Sequence, residues 1–158
     1  MFRPIRRKAK EISLEETKQV LRTARYGFFA VNGDDGYPYA VPVNYFYDEE
    51  NEKIYFHGAK AGHKYDSLKR CDKVCFTVCG EERIEEEDWA PFVKSALIFG
   101  RGRFVDDAGE SLRLVRRLAE KFYPDASEID KEIEKAGKAV QMYEISIEHL
   151  SGKQIQEK

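Results

Sequence analysis

The stretch Ile54-Tyr55-Phe56-His57-Gly58-Ala59-Lys60-Ala61-Gly62-His63-Lys64 gathers more reactive and ligand-holding side chains than any other part of the chain. A short apolar strand runs into a turn with two glycines, two histidines and two lysines, and a helical segment from Tyr65 to Arg70 follows at once. Such a turn suits a phosphate group. Glycines let the backbone come close, the N–H groups at a helix start point outward, and lysines supply charge. It is not a Walker A loop, which has four residues between its glycines and then Gly-Lys-Ser/Thr. Here three residues separate Gly58 from Gly62, and His63 intervenes before Lys64. A solvated turn ahead of a helix can have the same composition, so the turn alone does not decide.

Two other groups of residues invite chemistry. Cys71, Cys75 and Cys79 follow a C-x3-C-x3-C spacing. Val74 to Val78 reads as a strand, and at ~3.3 Å per residue positions 75 and 79 would stand about 13 Å apart, too far to share one metal ion. Buried free thiols in a reducing, cytoplasmic setting are the better reading. The second group is the basic run Arg3, Arg6, Arg7, Lys8 and Lys10. No apolar stretch follows it, so it reads as neither a signal peptide nor an anchor. A solvated arm over residues 1–12 is expected rather than a nucleic-acid contact. The whole chain has 27 Lys and Arg against 29 Asp and Glu, which is no electrostatic footprint for nucleic acid.

These residues need a scaffold, and 158 residues are enough for one domain with its own core. No window approaches the length of a membrane span. Ser13 with Glu16 forms a capping box, and Leu14, Val20, Leu21 and Ala24 recur at helical spacing. Strands are expected over Phe28–Val31, Tyr39–Tyr47, Lys53–His57, Lys73–Cys79, Ser95–Val105 and Val140–His149, with a polar tail over 150–158. Asn32-Gly33-Asp34-Asp35-Gly36 makes a tight turn, and Pro42 suggests an edge position. Helices are expected over Ala108–Phe122, stopped by Pro124, and over Glu128–Gly137, capped by Ser127. The acidic segment from Gly80 to Lys94, with Trp89 and Phe92, reads as a long loop that covers a site.

The fold class is therefore mainly β with flanking helices (α+β): six strands joined largely by hairpins, closed or partly closed to protect their edges. A Rossmann fold is disfavoured, because strands do not alternate with helices and no glycine fingerprint follows the first strand.

In this order, the chain resembles the pyridoxamine 5'-phosphate oxidase-like FMN-binding split β-barrels, and within them the nitroimidazole-resistance (Nim) flavoproteins. The matching segments are Gly36–Tyr45, Ile54–Lys64, Val74–Val78, Ser95–Gly102 and Tyr143–Lys153, with Arg6-Arg7-Lys8 at the start. Each motif is soft alone, and their shared order carries the resemblance.

The resemblance implies a six-stranded antiparallel split barrel that forms a homodimer, with FMN at the subunit interface. It implies that Pro42, Val43, Asn44 and Tyr45 line the flavin ring. His57, Gly58, Ala59, Lys60, His63 and Lys64 would surround the phosphate, with Ser95 and Arg101 as further contacts. His57 is the first candidate for a catalytic residue. The implied activity is transfer of electrons from a reduced donor to a small electron-poor acceptor such as a nitroaromatic. Related barrels also include haem-binding and deazaflavin-binding members, flavin binders without turnover, and pyridoxamine 5'-phosphate oxidases. For the last, the further basic residues that would hold a phosphorylated substrate have no clear place here.

Overall fold

The computed structural model describes residues 1–87 and 91–155. Helix α1, Leu14–Thr23, starts where the capping box places it. The Ser13 Oγ accepts the Glu16 N–H at 3.2 Å, and the Glu16 carboxylate accepts the Ser13 N–H at 3.0 Å. Strand β1, Tyr26–Asn32, and strand β2, Pro38–Asp48, flank a short 3-10 turn in which Asp35 and Gly36 have left-handed φ values of 53° and 79°. Then follow β3, Lys53–Gly58, α2, His63–Arg70, and β4, Lys73–Cys79. A two-residue β5, Arg83–Ile84, precedes the long β6, Pro91–Val105. Helices α3, Ala108–Phe122, and α4, Ala126–Ala136, lead to β7, Gln141–Ile155.

The six expected strands close on themselves. Their order is β4-β1-β2-β3-β7-β6, and β6 pairs back onto β4. All of these pairings are antiparallel. β5 is an addition on β6, within the segment expected to be loop. Trp89 lies outside the described residues. β7 runs on to Ile155, past the expected end at His149, because its ladder with β6 continues to Val93↔Ile155. Most of the supposed polar tail is therefore strand.

Two further expectations are corrected. α4 begins two residues earlier than expected, at Ala126, capped by Asp125, whose carboxylate accepts the N–H groups of Ser127 and Glu128. The cysteines are not buried: Cys71 and Cys75 are half-buried and Cys79 is exposed.

The interior of the ring is filled from alternate strand positions by Phe29, Phe56, Phe76, Ile98, Tyr143 and their neighbours. α1 closes one end, where the buried Tyr45 hydroxyl donates to the Leu21 carbonyl at 2.7 Å. α2 closes the other, with Leu68 against Gly102 and Val74. A second apolar layer lies outside the ring. Leu114 and Leu118 of α3 cover Phe46, Tyr55, Val105 and Met142. Beneath this layer the buried Glu144 carboxylate takes Arg103 in a two-pronged pair at 2.7 and 2.8 Å, Lys53 at 3.0 Å and the Tyr55 hydroxyl at 3.0 Å. The N-terminal arm is not free in solvent, since Phe2 stacks on Phe99 and His149. Among the described residues, no helix is long and apolar enough to cross a membrane.

Candidate functional site

β3 pairs with β2 only from Tyr45 to Asp48, so among the described residues the edge of β2 from Pro38 to Asn44 has a strand on one side only, β1. Pro42 sits on this edge, where its missing N–H leaves no second ladder incomplete. Past the split, β3 runs into the glycine turn. Gly62 has φ of 106°, a conformation that favours glycine, and it starts α2 with no side-chain cap. The first N–H groups of α2 are thus left for solvent or a ligand.

Lys64 folds back over Gly58. A Cβ at position 58 would lie 2.8 Å from the Lys64 Cε, 3.2 Å from its Nζ and 3.2 Å from the Tyr143 ring. The absent side chain of Gly58 is therefore what lets this ammonium lie across the end of β3. His57, the neighbour of Gly58, is exposed on the outer side of the strand. Desolvation first, and the Lys64 charge second, push its pKa below the ordinary histidine value. Its imidazole is therefore neutral near neutral pH, with one N–H to donate.

The other expected residues divide. His63 stacks on Tyr39 with ring centres 3.9 Å apart, and its Nε2 accepts the Asp34 N–H at 3.3 Å. Lys60 donates to the Lys138 carbonyl at 3.2 Å, which ties the glycine turn to the segment before β7. Tyr45 points into the core, so its side chain anchors β2 and does not face a ligand. Arg101 is held by Asp72 at 2.8 Å and Glu148 at 3.1 Å, on the outer face of β6. Ser95 donates to the Lys153 carbonyl at the far end of β6. His57 is level with Met142 and Val105, so at ~3.3 Å per residue Ser95 lies roughly 30 Å along the strand from it. The single chain therefore gathers Asn44, His57, Gly58 and Lys64, with Ala59 beside them in the turn, and leaves Ser95 and Arg101 elsewhere.

Three residues at this end had no signal in the sequence. The Tyr143 hydroxyl, between the ring interior and α2, is buried with no partner among the described residues, and desolvation pushes its pKa up to about 12. Arg25 lies over the Phe122 ring at 4.9 Å. Lys121 donates to the Ala24 carbonyl at 2.6 Å and the Tyr45 carbonyl at 2.9 Å, which fixes the segment carrying Arg25 against β2. All three sites depend on contacts between elements far apart in the chain.

Desolvation, and secondarily the charge of Arg25, push Lys121 down from 10.5 to about 8. Between these values the unfolded chain binds more protons than the folded one, so folding stability rises with pH across the window. The expected result is that wild type gains stability relative to Lys121→Met as pH is raised from 8 to 10.5. Urea unfolding of both proteins at the two ends of that range checks it, and parallel pH dependences would refute it.

His57 and Asn44 also form one wall of a cleft of about 720 Å³, closed on its other sides by α3 and α4. Beside this wall, on the outer face of β1, Tyr26, level with Asn44, is 56% exposed, and Phe28, level with Pro42, is 41% exposed.

A family model described as pyridoxamine 5'-phosphate oxidase matches residues 13–154. No curated protein matches the chain. Among solved structures, a candidate 5-nitroimidazole antibiotic resistance protein from Bacteroides thetaiotaomicron superposes with a TM-score of 0.78 at 20% identity, covering 92% of this chain and 87% of that one. An FAD-binding protein from Mesorhizobium loti gives 0.64 at 23% identity, covering 92% and 97%. The flavocytochrome Anf3 from Azotobacter vinelandii gives 0.71 at 19% identity, covering 95% and 71%. At these identities the structures show a shared split-barrel-like fold.

Proposed function

The chain belongs to the pyridoxamine 5'-phosphate oxidase family, and from that premise we propose that it is an FMN-dependent oxidoreductase of the Nim type. The observation that carries the reading is Lys64, laid across Gly58 beside the uncapped start of α2 and the open edge of β2. This is a cradle for a phosphate next to a strand edge that can offer backbone groups to a flat ring. The unpartnered Tyr143 hydroxyl adds a polar group at the same end.

Bound flavin would supply the redox chemistry, accepting two electrons and passing them on. The chain's own residues bind and shield it. Lys64 and the α2 N–H groups neutralise the phosphate, and Lys60 holds the turn in place. Pro42, Val43 and Asn44 present the open strand edge. His57, neutral, holds one N–H toward the acceptor side. With a reduced nicotinamide as donor and a nitroaromatic as acceptor, the donor gives two electrons and one proton. The solvent gives a second proton, and the nitro group leaves as a nitroso group and water.

The exposed Tyr26 and Phe28 support a homodimer in which a second copy covers this face. A second copy would bring its own Ser95 and Arg101 near this face.

The test is the absorption spectrum of the purified protein before and after addition of FMN, or of FAD, and removal of the excess. A retained FMN spectrum that bleaches with a reduced nicotinamide and recovers with a nitroaromatic is the expected result. Failure to retain either flavin overturns the reading. Turnover unchanged in His57→Ala would remove His57 from the catalytic role.

A further inference from the structure

We propose that the cleft between the α3–α4 hairpin and the β2–β3 edge binds the electron acceptor, and that Arg25 selects acceptors with one oxygen-rich end on a small aromatic body. The inference rests on the flavin reading for the acceptor's role, but the cleft stands on its own geometry. Its volume of about 720 Å³ lies within the range of small-molecule sites.

The lining combines an apolar wall with a few polar groups. Val115, Phe122, Ile129 and Ile133 give two helices' worth of apolar wall. Arg25, Asn44 and His57 line the cleft too, with Asn44 bonded to the Arg25 carbonyl. Arg25 is spread over the Phe122 ring, and among the described residues no carboxylate pairs with it. Asn44 donates to the Arg25 carbonyl at 3.0 Å, and Lys121 holds the preceding Ala24 carbonyl, so the guanidinium stands on a fixed mount. Arginine in such a setting matches a carboxylate or nitro group with two parallel hydrogen bonds.

The α4 side carries Glu128, which is paired with Lys131, and Glu132. These carboxylates repel a ligand that is anionic along its length. They therefore disfavour the diphosphate half of a dinucleotide here and favour a compact molecule charged or polar at one end only. An acceptor seated this way lies beside His57, whose neighbour Gly58 carries Lys64 across it.

The experiment uses the full chain, reconstituted with flavin, and benzoate as a probe that binds without turning over. Isothermal titration reads its affinity, with benzamide as the uncharged comparison and flavin content measured in the same samples. Benzoate is expected to bind wild type. Arg25→Gln should weaken it about tenfold and change benzamide little, since one charge-assisted contact is lost. Ile133→Trp should fill the cleft and abolish both while flavin content stays at the wild-type level. No benzoate binding to wild type, or binding unchanged in both variants, overturns the proposal. Arg25→Gln decides the matter if Ile133→Trp does not fold. If wild type binds benzoate in this pattern but retains no flavin, the flavin reading falls and the cleft stands as an aromatic-acid site. If flavin is retained and the variants bind benzoate like wild type, the cleft proposal falls alone.

Discussion

Lys64→Ala is expected to weaken FMN binding about ten- to hundredfold, the loss of one charge-assisted hydrogen bond to a phosphate dianion. The fold should survive, because the lysine lies over the end of β3 and not in the core. Quenching of flavin fluorescence on titration into apoprotein gives the dissociation constant. Gly58→Ala provides a second line of attack. It keeps the charge but puts a methyl group where the Lys64 chain passes, within 2.8 Å of its Cε, so the ammonium must move. Both variants should lose flavin, and raised salt should weaken wild type more than Lys64→Ala. Wild-type affinity in Lys64→Ala would sink the phosphate assignment of this turn.

The second large effect is on stability. Glu144→Ala is expected to cost about 3 kcal/mol, because breaking a buried ion pair leaves its partners uncompensated. The Glu144 side chain is 1% exposed, and its loss leaves the buried Tyr55 hydroxyl without its acceptor and removes the carboxylate that Lys53 and Arg103 share. Arg103→Ala should cost less, since that side chain is 52% exposed and water already shares it. Burial pushes the Glu144 carboxyl up, but the hydrogen bonds from Arg103, Lys53 and Tyr55 together outweigh it, and its pKa falls below the usual 4.5. This lowered pKa stabilises the folded state above the ordinary glutamate range, and that contribution is lost as pH falls below it. Urea unfolding at neutral and acid pH tests both statements. A loss under about 1 kcal/mol at neutral pH would mark the network as an ordinary surface pair.

Sequence pattern reached the scaffold because its signals are local. The Ser13–Glu16 box, the strand alternation and the stripe of α3 all depend on residues a few positions apart. It reached the glycine turn for the same reason. It missed β5, whose two residues pair only because β6 passes alongside. It placed the α4 cap at Ser127, whereas the Asp125 carboxylate, two residues earlier, takes the N–H groups of Ser127 and Glu128 and starts the helix sooner. The family resemblance offered Ser95 and Arg101 as cofactor contacts; within one chain, strand length carries Ser95 to the far end of β6, and Asp72 and Glu148 pair with Arg101. Arg25 and Lys121 become parts of the site only when α3 folds back onto the end of α1. No window of sequence contains that event.

The order of the strands also governs when this chain can fold. β7 is inserted between β3 and β6, and it pairs with Lys53 through Ser146 across most of the chain. Until it arrives, β3 and β6 each present an open edge able to recruit another chain. A ribosome that has made everything up to α4 has therefore produced two unpaired edges and no closed ring. High contact order makes closure slow, and the interval before it is when aggregation competes. Crowded synthesis should tax this protein's yield more than its final stability suggests.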